Sequence, residues 1–172
     1  MQLIKNMYAI WYLFEKNDEE KIKKNIVKIS KQYKTPVFLP HITAYGLIKT
    51  DLEIIERSVL ESIKNIKPFT VKKKSISISN NFWKTLFIKF ENNSNMLQIN
   101  KKLTENFLKF SKYTFEPHAS LIYKNMNFEE KQNIIENLEL KDNFKINSIG
   151  ILKFSESISK WKIIKKEYLD KF

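Results

Sequence analysis

Apolar residues recur along this chain with two periods, and the periods alternate in a regular order. Met7 to Phe14 (M-Y-A-I-W-Y-L-F) is a short, continuous, aromatic-rich run, the pattern of a buried strand. From Asp18 to Tyr33 the spacing lengthens, and Ile22, Ile26, Ile29 and Tyr33 fall on one helical stripe. Asn17 or Asp18 is placed to cap that helix. Val37 to Tyr45 returns to a strand pattern. Asp51 to Ile66 is helical again, with Ile55, Val59, Ile63 and Ile66 on one face and a capping-box spacing at Thr50 and Glu53. Phe69 to Ser79 is a strand whose apolar phase moves from Phe69 and Val71 to Ile76 and Ile78, which predicts a bulge or bend near residues 73–75.

The order then repeats. Trp83 to Phe90 is a strand with Leu86, Ile88 and Phe90 on one face. Ser94 is placed to cap a helix whose stripe is Met96, Ile99, Leu103, Phe107 and Phe110. Pro117 to Tyr123 is a strand. Asn127 caps a helix with Glu129 and Glu130 in its first turn and Ile134, Ile135 and Leu138 inside. Phe144 to Phe154 and Trp161 to Tyr168 complete the strands. Residues 7–79 and 83–154 therefore follow one plan of strand, helix, strand, helix, strand. No Gly- or Pro-rich linker separates them. The expectation is α+β: one domain over residues 1–172, with two similar lobes of mostly antiparallel sheet covered by helices.

The chain has only two histidines, His41 and His118, and they occupy the third segment of each half. Both sit in a Pro-His-apolar-hydroxyl frame, P-H-I-T at Pro40–Thr43 and P-H-A-S at Pro117–Ser120. On a strand, alternate residues share a face. His41 and Thr43 are thus expected to project together with Tyr45, and His118 and Ser120 together with Ile122. Ile42, Ala44, Ala119 and Leu121 point the other way. Tyr123 falls opposite His118 under strict alternation, so it reaches the same side only if the strand ends or bends after Ile122.

If the lobes face each other, two imidazoles and two hydroxyls converge on one cleft. With an unperturbed pKa near ~6.5, one ring can be neutral and the other protonated, giving a general base and a general acid. The hydroxyls can donate hydrogen bonds to the non-bridging oxygens of a phosphate. Water attack on a phosphodiester needs that set of groups. Which histidine is base and which is acid stays open.

Charge and composition narrow the field. The formal charge of +12 favours an anionic partner, or it reflects a Lys-, Asn- and Ile-rich composition in which Arg57 is the only arginine. There is no cysteine for a disulfide or a thiolate nucleophile. Two histidines cannot build a three-histidine zinc site, and no H-E-x-x-H, phosphate-binding glycine loop or G-x-S-x-G elbow is present. No cofactor or metal is expected. No apolar run approaches the ~18 residues that span a bilayer. Tyr8, Trp11 and Tyr12 interrupt the apolar start, and no small-residue cleavage site follows. A cytoplasmic monomer with no membrane association is expected.

With both His-x-hydroxyl motifs in place, the chain resembles the 2H phosphoesterase superfamily. Its likeness is closest to the branch acting on ADP-ribose 1″,2″-cyclic phosphate and nucleoside 2′,3′-cyclic phosphates. Y-A-I-W at Tyr8–Trp11, F-L-P-H-I-T at Phe38–Thr43, E-P-H-A-S-L-I-Y at Glu116–Tyr123, F-E-E-K at Phe128–Lys131 and Trp161 carry the resemblance. It implies a bilobal fold, metal-independent hydrolysis of a cyclic phosphodiester, His41 and His118 as the acid–base pair, and Thr43 and Ser120 as phosphate ligands. By position, Trp11 and Tyr123 are expected to line the cleft. Trp83 is expected either to stack on a base or to pack in the core, with Lys84 beside it. The expected partner is a nucleotide or an RNA-derived cyclic phosphate. Within the superfamily the alternative is cleavage of 2′–5′ or cyclic oligonucleotides or processing of RNA 3′ ends. Outside enzymology it is a module that binds RNA ends.

Overall fold

The computed structural model describes residues 6–170. The chain runs β1 (Met7–Phe14), α1 (Lys16–Tyr33), β2 (His41–Lys49), α2 (Leu52–Ile63), β3 (Phe69–Ile78), a 3-10 turn (Phe82–Lys84) and β4 (Leu86–Phe90). It continues through α3 (Ser94–Phe107), β5 (His118–Ile122), α4 (Phe128–Glu136), β6 (Asn143–Lys153), a second 3-10 turn (Ile158–Lys160) and β7 (Lys162–Tyr168). This is the α+β architecture that the alternating periods predict. Every strand pair among the described residues is antiparallel. The order is β2-β1-β6-β3-β4-β5, with β7 beside β6.

The last strand of each half joins the first strand of the other. β6 pairs with β1, and β3 pairs with β4. β3 also bridges the two parts of the sheet. Phe69–Lys72 pair with Asn143–Ile146 of β6, and from Lys73 onward β3 pairs with β4. The register shifts between Lys73 and Ser75, where the apolar phase changes in the sequence. An extra residue there lets the strand turn from one lobe to the other.

Helical stripes pack against the sheet. Ile22, Ile26 and Ile29 of α1, Ile55, Val59 and Ile63 of α2, and Met96, Ile99, Leu103 and Phe107 of α3 are buried. They share one hydrophobic core with β1, β2 and β4–β6. Phe14, Phe90 and Phe144 meet where β1, β4 and β6 converge, with ring centroids 5.8–6.1 Å apart. Truncating a fully buried phenylalanine removes both transfer energy and packing. Phe90→Ala is therefore expected to lower unfolding stability by about 3–5 kcal/mol in a denaturant titration. A loss below about 1 kcal/mol would show that this cluster does not hold the lobes together.

Several helix boundaries depart from the sequence expectation. Helix α1 starts at Lys16 with Glu15 at its cap position. Asp18 instead turns toward β6, accepting the Lys145 N–H at 2.7 Å and pairing with Lys141. Asp51 takes the cap position of α2 without a side-chain capping bond, and the Thr50 hydroxyl is buried without a partner. That helix stops at Ile63, and Asn65 adopts φ 63°. Asn93, not Ser94, caps α3, accepting from the Asn95 and Met96 amides, and Phe110 lies beyond the helix end. Asn127 caps α4 in a reciprocal box with Glu130.

Candidate active site

Each histidine stands on the first residue of an outer strand, directly after a proline. The residue before a proline is restricted to extended conformations, which fixes where its carbonyl points. Both motifs use that carbonyl. His41 Nδ1 donates to Leu39 O at 2.7 Å, and His118 Nδ1 donates to Glu116 O at 2.7 Å. A carbonyl can only accept, so Nδ1 carries the proton and Nε2 is left as the basic nitrogen. The prolines thus explain the repeated frame: each sets a ring's tautomer and tilt.

The strands then bulge at the same place. Trp11 lies opposite Thr43 but Ile10 lies opposite Tyr45, so Ala44 is an extra residue in β2. Phe87 lies opposite Ser120 but Leu86 lies opposite Ile122, so Leu121 is an extra residue in β5. A bulge inverts the facing of everything after it. Tyr45 therefore turns into the core, fully buried, and its hydroxyl donates to Ser111 O at 2.6 Å. Its expected place in the cleft is corrected, as is that of Ile122, which is also in the core. The inversion brings Tyr123 to the cleft side, meeting the condition that strict alternation set.

A cleft of about 380 Å³ lies between the lobes. His41, Thr43, His118, Ser120, Trp11, Tyr123, Trp83 and Lys84 all line it. The Trp11 ring stacks on His41 at a centroid distance of 3.4 Å and an interplanar angle of 8°. Phe87 meets His118 edge-on at 5.4 Å. The Ser120 hydroxyl donates to Trp83 O at 3.1 Å. Lys84 forms an ion pair with Glu116, whose second oxygen lies 3.6 Å from Lys89 Nζ.

The sequence reading missed several lining residues. Trp161 contributes its ring to the wall, edge-on to Trp11 at 5.7 Å and to Tyr123 at 5.5 Å and stacked over Trp83 at 6.0 Å. All three tryptophans of the chain therefore meet in this cleft. Their scarcity was the available signal. Tyr113 packs its ring where a side chain on Gly46 would sit, 3.3 Å from an added Cβ, and its hydroxyl donates to Thr43 O at 3.4 Å. Asn81, Leu47 and Phe154 complete the rim.

Burial sets the protonation of the pair. It pushes the His41 pKa down to about 3, against the opposing effect of the Leu39 carbonyl. His118 is also lowered by burial and by Lys84, while the Glu116 carbonyl and carboxylate pull it back. Glu116 is held below the usual carboxylate range, first by its hydrogen bond from Lys84. Burial pushes the Tyr113 phenol up to about 12. Burial thus favours the neutral form of both rings.

Two antiparallel lobes with one Pro-His-x-hydroxyl strand each, facing a common cleft, define a 2H phosphoesterase. The pattern of the family described as cyclic phosphodiesterase-like protein matches residues 7–169, and the chain belongs to that family. Phosphodiester hydrolysis is the chemistry of this class. The Arabidopsis thaliana cyclic phosphodiesterase is 21% identical over 155 residues, spanning 87% of this chain and 86% of that protein. The crystal structure of Escherichia coli LigT complexed with 3′-AMP shares the fold at a TM-score of 0.63 and 11% identity, covering 96% of this chain and 98% of that one. TT0787 of Thermus thermophilus shares it at a TM-score of 0.66 and 10% identity, covering 95% and 97%. No helix among the described residues is long and apolar enough to cross a membrane.

Proposed function

We propose that this cleft hydrolyses a cyclic phosphodiester on a nucleotide, with His41 and His118 as base and acid and Thr43 and Ser120 holding the phosphate. The observation that carries the reading is the pair of imidazoles with Nδ1 pinned in the same way, each beside a hydroxyl on one face. The family's cyclic phosphodiesterases and the LigT complex with 3′-AMP support a nucleotide as the ligand.

The roles follow from the surroundings. His41 is sealed under Trp11 and beside apolar Leu39, so its neutral form is strongly favoured. His118 is less enclosed and has the Glu116 carboxylate nearby, so it takes up a proton more readily. His41 then removes a proton from water as the water oxygen attacks phosphorus. His118 donates a proton to the ribose oxygen as its bond to phosphorus breaks. A nucleoside 2′,3′-cyclic phosphate gives the 2′-phosphate, and ADP-ribose 1″,2″-cyclic phosphate gives the 1″-phosphate. The hydroxyls, with Lys84 nearby, stabilise the charge that gathers on the non-bridging oxygens.

Incubation with adenosine 2′,3′-cyclic phosphate and with ADP-ribose 1″,2″-cyclic phosphate in EDTA tests this directly. Turnover to a single phosphomonoester is expected, unaffected by the chelator. No turnover, or turnover restored only by added metal, would remove the paired-histidine mechanism.

A further inference from the structure

The sheet face carrying the second motif continues past the cleft. On β4, Phe87 lies opposite Ser120 and Lys89 opposite His118. On β3, Ser77 lies opposite Phe87 and Ser75 opposite Lys89. Alternation sends Ile88 and Phe90 to the core, so these residues form two rows on the open face: His118, Lys89, Ser75 and Ser120, Phe87, Ser77. Two inter-strand spacings carry the rows about 10 Å from the catalytic strand. The Ser75 and Ser77 hydroxyls lie 2.8 Å apart.

A second cavity of about 440 Å³ opens beside these rows, lined among others by Lys74, Lys89, Asn92 and Glu116. Glu116 joins it to the cleft by holding Lys84 on one side and Lys89 on the other. Glu91, also at its edge, is paired with Lys72 at 3.3 Å. Lys74 is exposed and has no ion pair among the described residues. Lys72, Lys74, Lys84 and Lys89 thus outnumber Glu91 and Glu116, and the region keeps positive charge.

The first half handles the matching positions differently. Opposite His41 stands Leu13, where Lys89 stands opposite His118, and Leu39 takes the place of Glu116. Ala9, Trp11, Leu13 and Leu152 make that wall apolar, with Leu39 and Ile163 packed against them. A site holding one phosphate between two like lobes has no need of this inequality. A ligand with further negative charge on one side does.

We infer that the Lys74–Lys89 cavity is a subsite for a second phosphate of the substrate, one linkage from the reacting one. This rests on the phosphodiesterase reading above. Lys89 and Lys74 supply the charge, and Ser75 stands opposite Lys89 on the neighbouring strand. The shared chemistry is a phosphate attached through a ribose to the reacting group, whether the next diester of an oligonucleotide or the diphosphate of ADP-ribose.

The test compares kcat/KM of the full chain on three substrates: adenosine 2′,3′-cyclic phosphate, the dinucleotide ApA ending in a 2′,3′-cyclic phosphate, and ADP-ribose 1″,2″-cyclic phosphate. A preference of about ten-fold or more for a two-phosphate substrate is expected, mostly in KM and weakened by salt. That ratio should shrink to about three-fold or less in Lys74→Ala/Lys89→Ala and in Lys74→Glu. Preference for the dinucleotide identifies the oligonucleotide source; preference for ADP-ribose identifies the diphosphate. Equal efficiency on all three, or a preference that survives the lysine substitutions, would overturn the subsite. If nothing is turned over, the phosphodiesterase reading fails separately and equilibrium binding decides the subsite. ApAp binding more tightly than 3′-AMP, with the difference lost in the lysine variants, supports it; equal binding overturns it.

Discussion

His118→Ala and His41→Ala should each reduce phosphodiester turnover by roughly 10²–10⁴-fold, the range a positioned acid or base supplies. The double variant should be little worse than either single one, because base and acid act in one step and are not additive. His41 is buried against Trp11, so its truncation also leaves a void. His41→Gln, with unfolding measured alongside, separates lost chemistry from lost packing. The pH profile carries a second signature. The base must be neutral, and His41 becomes protonated only as pH falls toward about 3. The acid must be protonated, and His118, lowered from its ordinary value, loses its proton as pH rises even before 6.5. The kcat/KM bell is therefore expected to peak on the acidic side of 6.5. Full activity in either alanine variant, or a rising profile through neutral pH, would sink the pairing.

Removing both hydroxyls is the second large effect. Thr43→Val keeps the shape of the side chain and deletes the donor, as Ser120→Ala does in the other lobe. Loss of one preorganised donor costs roughly 10²–10³-fold in kcat. Each single variant is expected in that range, with KM changing less than kcat if the contacts strengthen as charge develops. The Ser120 hydroxyl donates to Trp83 O in the free protein, so it must rotate toward the phosphate on binding. Ser120→Thr, which restores the donor, should recover part of the loss. A KM change alone would make these residues ligands of the ground state only.

How much of this was legible in the sequence depends on how local each cause is. The His-x-hydroxyl pairs follow from the period of a strand, and alternation sent Ile42, Ala44, Ala119 and Leu121 into the core correctly. The bulges defeated the next step. Nothing in Ala44 or Leu121 marks an extra residue, because it is defined by the partner strands β1 and β4. Tyr45 and Ile122 were therefore placed on the wrong face. The bulge in β3 was visible only because its apolar residues changed phase. Caps failed where a distant strand competed: Asp18 is taken by Lys145 and Lys141 of the β6 region. Trp161 and Tyr113 come from irregular segments, where no period says which way a side chain points. The exchange of β3 and β6 between the halves leaves element order unchanged, so no periodicity reveals it.

β2 and β5 end the sheet order, so each has one side without a strand partner. Such rims invite a strand from another molecule, the first step toward amyloid-like stacking. Here each rim is preceded by a proline that lacks an N–H and is broken by a bulge immediately after the hydroxyl, and β5 is only 5 residues long. The same irregularities that set the two imidazoles and turn Tyr123 to the cleft leave no flat run for a foreign strand. In a lysine-rich, aromatic-rich chain, the geometry of the cleft and protection against strand pairing come from the same few residues.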